Sequence, residues 1–492
     1  MSKTISSFCL MLAVSSGAFA RDEFTRAFDK TVPLQAGKRL TIDHSLGDID
    51  IHTHGASEVV IHAEIKVSAP DANAAKNYAN AVGIDVEPSS AGISVRTRYP
   101  ERPSSFAGFK NLSYTVRYEL TIPESASVDV RNSFGNVTAN GIKAASEMKT
   151  SHGNLMLRNG RGSQRLANAF GNVQVSENDG DVVIENSNGN VNASNITGAL
   201  DVRDRFGSVI VDHVAKTLKL SNTNGSVRVT DCGAPSVINN AFGSVTASDV
   251  HGDLTVHNAN GAVDANNVSG SAELSSSFGA VRYSNVGGHA AVTTANADVV
   301  GRKSGPLTVK SSFGKVDVGD VQGDAQIVAG NGAVTLVNVS GQVNVRDGFG
   351  LVRTENTGAL TVENANGGIS ASNVQGDASV RTSFAAVLLD GVSGGVSAAN
   401  QNGTIDVTAR GDKECKPISI RTSFAPVRLR LPVNASYRLS ASTSFGKIKS
   451  ELPMNVSGNV SSDSLSATIG GGKCELHIAN NNGNVDILKS TR

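Results

Sequence analysis

Residues 189–206 read GNVNASNITGALDVRDRF, and residues 207–224 read GSVIVDHVAKTLKLSNTN. The two stretches share one template. In the first, Val191 and Ala193, then Ile196, then Leu200 and Val202 precede Phe206. In the second, Val209 and Val211, then Val214, then Leu218 and Leu220 precede Asn224. Apolar residues two apart, bounded by Asn, Gly and Ser, mark short half-buried strands rather than helices.

Outward from this pair the pattern repeats. Phe followed by Gly or Ala stands at Phe134, Phe170, Phe206, Phe242, Phe278, Phe313, Phe349, Phe384, Phe424 and Phe445. Midway between them fall His152, Asn188, Asn224, Asn260, Asn296, Asn331, Asn366 and Asn402, each followed by Gly or, at 297, Ala. A fixed period of this kind signals stacked repeats. The expected fold is all-β, a parallel β-solenoid of about 18-residue coils, with two strands per coil and about fifteen coils. At ~4.8 Å per coil the stack would extend roughly 70 Å. A 36-residue coil is the alternative; the shared apolar template of the two halves favours 18.

The corner residues have physical reasons. Gly after Phe or Asn permits positive φ where the chain turns sharply. Asn tolerates the left-handed region and can bond backbone or a stacked neighbour. Phe at alternate coils is expected to fill the wider end of the core. The other reading is an exposed aromatic binding stripe.

The ends break the period. Over residues 21–130, strands are expected at Asp48–His54, Val59–Val67, Ile93–Tyr99 and Leu112–Ile122. Ala72, Ala75, Ala79 and Val82, with Pro70 in the first turn and Gly83 past the end, predict one short helix. This segment reads as an N-terminal cap, residues 131–410 as the solenoid, and 411–492 as an irregular β C-terminal cap interrupted by Pro417, Pro426, Pro432 and Pro453. Residues 1–20 read as a signal peptide: Lys3, the apolar run Phe8 to Val14, and Ala18-Phe19-Ala20 before a cleavage point. The expectation is an exported protein, in the periplasm, at the cell surface or secreted, with no transmembrane segment in the mature chain.

The chain has 492 residues, 44 of them Lys or Arg and 44 Asp or Glu. That balance excludes the broad positive field of a nonspecific nucleic-acid binder or a polybasic membrane protein. Hydrophobic residues at 39% can build a core, while Trp is absent and aromatics are only 4%.

Two stretches, LTIPESASVDVRNSFGNVTA (120–139) and SATIGGGKCELHIANNNGNVDILK (466–489), resemble the phrasing of the DUF4097 β-strand-repeat family. That family is described as candidate adhesins of bacterial envelopes. The resemblance implies an exported or envelope-associated β-solenoid with no catalytic residues to carry over.

Candidate chemistry is sparse. Asp48, Asp50, His52 and His54 alternate on one strand, near His62 and Glu64; a metal site there competes with a solvated outer face, and the latter is preferred. The turns lack the G-G-x-G-x-D pattern of a calcium-built roll. The outward columns Gln174, Asn192, Ile210, Arg228, Thr246, Asp264, Arg282 and Val183, Asp201, Lys219, Val237, Thr255, Glu273 do not bring acids together on adjacent coils. No nucleophile elbow on a strand-to-helix turn, P-loop, HExxH or CxxC pair is read in the chain. An enzyme acting on polysaccharide in the β-helix manner is therefore the runner-up, and no cofactor is expected.

A possible recognition loop gathers Tyr99, Arg102, Phe106, Phe109 and Lys110, although both Phe could fold back over the cap. Tyr114 and Tyr118 read as core. Cys232 takes the slot of Val214 and Val250 and should be buried. Cys415 and Cys474 are a possible disulfide in an oxidising compartment; two free thiols are the alternative. The functional expectation is a non-enzymatic, adhesin-like or scaffolding element of the bacterial envelope, or a periplasmic partner-binding module. Its partner would be a cell-surface glycan or envelope protein, with no nucleic acid.

Overall fold

The computed structural model describes residues 22–100, 112–233, 235–411, 414–457, 461 and 463–490. The expected signal peptide and most of the expected recognition loop lie outside them. The architecture is a parallel β-solenoid of about 17 turns spaced about 18 residues apart, with a single helix among the described residues. The chain divides into two compact units, residues 1–162 and 163–492.

In the second unit one coil illustrates the rest. Strand Leu200–Phe206 leads through Gly207 and Ser208 into strand Val209–Val214, and residues 215–217 return the chain to Leu218. Leu200, Val202, Val209, Val211 and Val214 point inward and are buried. Each pairs in register with its equivalent in the next coil, Leu200 with Leu218 and Val209 with Val227. Two parallel sheets thus enclose columns of Val, Leu, Ile and Ala, each Val, Leu or Ile contributing about 1.5–3 kcal/mol on burial. The register settles the coil length at 18. The outward columns stand as the alternation requires, with Asp201 beside Lys219 and Asp264 beside Arg282.

At the two-residue corner the glycines are required twice over. Gly225 has φ 142°, and a Cβ there would lie 1.9 Å from the carbonyl oxygen of Gly207. The left-handed non-glycine residues occupy the opposite corner: Asn195, His213, Asp231, Asp249, Asn267 and Asn285 all have φ near 55°. The conformational tolerance of Asn is therefore used there, and not at the Phe/Asn corner where the sequence suggested it. Several of these side chains bond one another from coil to coil, as Asn285 Nδ2 donates to Asn267 Oδ1 at 3.0 Å.

The first unit combines two sheets. In one, Asp22–Pro33 pairs antiparallel with Glu58–Ala69, which pairs antiparallel with Ser113–Pro123. Parallel pairing then runs from Ser113–Pro123 to Ile49–His54 and on to Val137–Asn140. In the other, the hairpin Gly83–Pro88 and Gly92–Arg98 leads into parallel strands Arg39–Leu46, Ser127–Phe134 and Ser146–His152. The helix spans Ala72–Ala81, capped by the Asp71 carboxylate, which accepts from the Ala74 amide at 2.9 Å. Pro70 thus precedes the cap instead of lying in the first turn. The helix buries Ala75 and Ala79 against Asp22–Pro33 and Glu58–Ala69.

The C-terminal strands do not stack in chain order. Cys474–Asn482 inserts between Ile418–Thr422 and Tyr437–Phe445, pairing parallel with both. Val485–Lys489 likewise pairs with Val427–Leu431 and Ile448–Ser450. Cys415 and Cys474 are joined in a disulfide, and Cys232 is buried.

Candidate binding surface

The Phe series does not fill the core. Phe170, Phe206, Phe242, Phe278, Phe313, Phe349, Phe384, Phe424 and Phe445 are all exposed, Phe242 at 52% and Phe278 at 59%. The interior place at this corner belongs to the residue two positions earlier, a buried column that includes Asn186, Asp204, Asn222, Asn240, Asn258 and Ser276. The Asn and Ser side chains of this column satisfy the corner carbonyls, whereas both Asp204 oxygens are left without a partner. Asn258 Nδ2 donates to the Gly243 oxygen at 2.9 Å and the Gly261 oxygen at 3.0 Å. The Ser276 hydroxyl donates to the Gly261 oxygen at 3.0 Å. With the corner interior occupied by short polar groups bonded to backbone, a phenyl ring has no room, and the chain turns it outward.

The result is a regular external ladder. Asn224 is in register with Phe242, Phe242 with Asn260, and Asn260 with Phe278. Strands in a sheet lie about 4.8 Å apart, so rings recur every ~9.6 Å with an amide between. Some amides are tied back to the sheet: Asn188 Nδ2 donates to the Ala169 oxygen and Asn402 Nδ2 to the Ser383 oxygen, both at 3.3 Å. That leaves Oδ1 of each as an acceptor.

Missing residues do not disturb the ladder. Between Asn296 and Phe313 the coil is one residue short, yet the two remain in register because the deletion falls at the far corner, around Gly305 and Pro306. The first unit carries the same corner, where Leu46 pairs with Phe134 and Phe134 with His152. There the two rings stack, with centroids 4.6 Å apart and planes 14° apart.

Immediately inboard of Phe242 and Phe278 runs an open depression of about 600 Å³. Ser221, Asn239 and His257 line it, together with the small residues Thr223, Ala241 and Ala259, and Arg203 and Arg205 stand at one end. His257 Nδ1 lies 2.8 Å from the Ser275 hydroxyl. At the edge of this depression Asp204 is buried, and burial raises its carboxyl to about 6.

The residues singled out from sequence fall elsewhere. Arg102, Phe106, Phe109 and Lys110 lie outside the described residues. Tyr99 is half-buried, donating its hydroxyl to the Leu46 oxygen at 3.4 Å and packing on Tyr114 with centroids 5.3 Å apart. Tyr118 is buried, and Tyr114 is half-buried. Asp50 pairs with Arg117 at 2.8 Å, Asp48 accepts the Asn136 amide at 2.7 Å, and His54 Nε2 lies 2.8 Å from the Glu58 oxygen. Among the described residues no group of three His, Cys, Asp or Glu is placed to hold a metal ion. On the outer face of the solenoid, Glu185 is taken up by Arg165 and Arg203, and Asp201 by Arg203.

Sequence reasoning missed a buried polar network in the first unit. The Thr97 hydroxyl lies 2.9 Å from His44 Nδ1 and 2.7 Å from the Tyr118 hydroxyl. Burial lowers His44 to about 4 and raises Tyr118 to about 12. These residues come from three separate strands, so no local spacing could announce them.

The ladder and its register extend through the C-terminal half of the chain. Residues 299–488 match the Toastrack DUF4097 family. The Toastrack segment contains the stretch 466–489 almost entirely, whereas 120–139 lies outside it. Among curated proteins, none matches this sequence. A solved structure of a candidate cell adhesion protein from Clostridium sporogenes is 12% identical, covers 40% of this chain and 99% of that one, and has a TM-score of 0.26. A candidate adhesin from Parabacteroides merdae is also 12% identical, covers 61% and 96% respectively, and has a TM-score of 0.17. Likenesses this faint say nothing about what the present chain binds.

Proposed function

We propose that this protein is a non-enzymatic, adhesin-like element of the bacterial envelope, exported and acting by display of its exposed Phe/Asn ladder. One observation carries the reading. The alternation of ring and amide persists across a break in chain order, because Asn482 occupies the place between Phe424 and Phe445. Core packing does not ask for that, since both Phe are exposed. A repetitive contact surface does. Exposed aromatic side chains in line are also costly to leave in water unless a partner uses them.

The ladder residues carry none of the paired carboxylates that glycoside cleavage would need; of the acids nearby, Glu185 and Asp201 are taken up by Arg203, and Asp204 is buried alone. Binding, and not turnover, is what the surface can do. Whole-cell and envelope-fraction binding by the purified protein, compared with a variant carrying Phe242→Ala, Phe278→Ala and Phe313→Ala, tests this. Saturable binding lost in the variant supports the ladder as the contact surface. Binding unchanged in the variant rejects it.

A further inference from the structure

The ladder and the depression beside it restrict the chemistry of the partner. From Thr223 to Ala280 the corner strip reads TNGS, AFGS, ANGA and SFGA in successive coils, with no charged side chain. From Gly330 to Pro426 it reads GNGA, GFGL, ANGG, SFAA, QNGT and SFAP, again uncharged, whereas Arg205, Asp298, Lys315 and Lys447 place charges on the strip outside these two stretches. Within these two stretches of the strip an anionic polymer or lipid headgroup finds no counter-charge, and a cationic one finds no carboxylate. Beyond Arg203 and Arg205 at one end, the floor is hydroxyl, amide and imidazole, which suits a partner rich in hydroxyl groups.

An extended peptide is disfavoured for a separate reason. Each strand beneath the ladder is hydrogen-bonded on both sides, as Leu218–Asn224 is to Leu200–Phe206 and to Ser236–Phe242. No free strand edge is offered to a peptide backbone along this face. A second copy of the chain would have to bury the polar floor as well as the rings.

Resting on the ladder as the contact surface, we infer that its ligand is an uncharged, linear, β-linked polysaccharide lying lengthwise across the coils. In such a chain successive pyranose rings alternate in orientation, so every second sugar presents the same apolar C–H face. The ladder supplies an aromatic face at every second coil, about 9.6 Å apart. The intervening Asn accepts and donates hydrogen bonds to the hydroxyls of the alternate sugar. The match is one of period and of chemistry together: ring with apolar face, amide with hydroxyl edge. Individually weak contacts repeated along a rigid array give affinity that grows with ligand length.

The test uses the purified full chain and defined oligosaccharides. Cello-, chito- and xylo-oligosaccharides of two to eight sugars are titrated calorimetrically, with malto-oligosaccharides and polygalacturonate as the α-linked and anionic controls. The inference expects binding to at least one β-linked series, with affinity rising in steps of two sugars. Phe242→Ala with Phe278→Ala should weaken it at least tenfold, whereas Phe→Tyr at both sites should retain it. Phe→Leu at both sites keeps the fold and an apolar surface but removes the ring face, so retained affinity in that variant overturns stacking. Equal binding of α-linked or anionic polymers overturns the ligand class while leaving the ladder as the binding surface. Sedimentation showing dimers that the Phe→Ala pair dissociates, with no sugar bound, assigns the surface to a second copy instead. Cell binding indifferent to all ladder variants removes the proposed function itself.

Discussion

Asn482 pairs with Phe445 across parallel strands, although 36 residues of chain and a strand reversal separate them. The Asn482 amide donates to the Ser423 oxygen at 2.8 Å on its other side, one residue before Phe424. The ring–amide–ring order of the solenoid is thus rebuilt at its end from three non-consecutive strands. Sequence spacing alone shows two Phe with no Asn-Gly corner between them.

Because the rings are half in water, removing one should hardly matter to the fold. Phe278→Ala is expected to cost under about 1.5 kcal/mol, whereas Leu274→Ala, four residues earlier and pointing inward, should cost about 2–5 kcal/mol. Denaturant titration of both variants checks the contrast; equal losses would mean that the ring is structural.

Gly225 faces the opposite demand. Positive φ and a carbonyl 1.9 Å from the absent Cβ leave alanine no place. Gly225→Ala should destabilise by roughly 2–4 kcal/mol, and hydrogen exchange should show the opening centred on strands 218–224 and 236–242.

Asp204 stands in a column of neutral Asn, and its carboxyl is raised to about 6 from an ordinary 3.8 by burial. The folded protein therefore holds a proton that the unfolded chain has lost between those two values. Stability from this group falls as pH rises through the window and stays reduced above it. Asp204→Asn should stabilise by about 1–3 kcal/mol at pH 7.5 and have little effect near pH 3.5. Unfolding of wild type and variant at the two pH values measures this.

His44 has the opposite sign. Burial depresses it to about 4 from 6.5, so the unfolded chain takes up the proton first as pH falls. Its share of stability is complete above about 6.5 and is lost as pH drops toward 4. Hydrogen exchange in Arg39–Leu46 and Gly92–Arg98 should accelerate between pH 6 and 4.5, and His44→Gln should flatten that dependence.

The Cys415–Cys474 disulfide spans 59 residues. Loop-closure entropy puts its contribution at about 4 kcal/mol. Reduction should loosen Cys474–Asn482 first, and peptide mapping without reductant should recover the linked pair. Cys232, whose thiol burial pushes up to about 11, should resist alkylation until the protein unfolds.

Much of this fold was legible because each coil is a local event. Val191 and Ala193, or Leu218 and Leu220, need only their own alternation to declare which face is buried, and the 18-residue return aligns them with their neighbours. The glycine corners were legible for the same reason. The direction of the phenyl rings was not. Phe206 two residues after Asp204 looks like any inward apolar residue in a period-two pattern, and only the turn into Gly207 reverses it.

The sequence by itself determined the two-stranded coil, its period and the recurrence of Phe and Asn at one corner, since all of these follow from spacing along the chain. The tertiary structure decided where that recurrence points. Buried Asn222, Asn240 and Asn258 fill the corner and bond its carbonyls, so the rings are pushed into solvent. The insertion of Cys474–Asn482 between earlier strands then keeps their alternation intact. Both are facts of which strand lies beside which, and parallel pairing between distant segments is a choice the packed molecule makes as a whole.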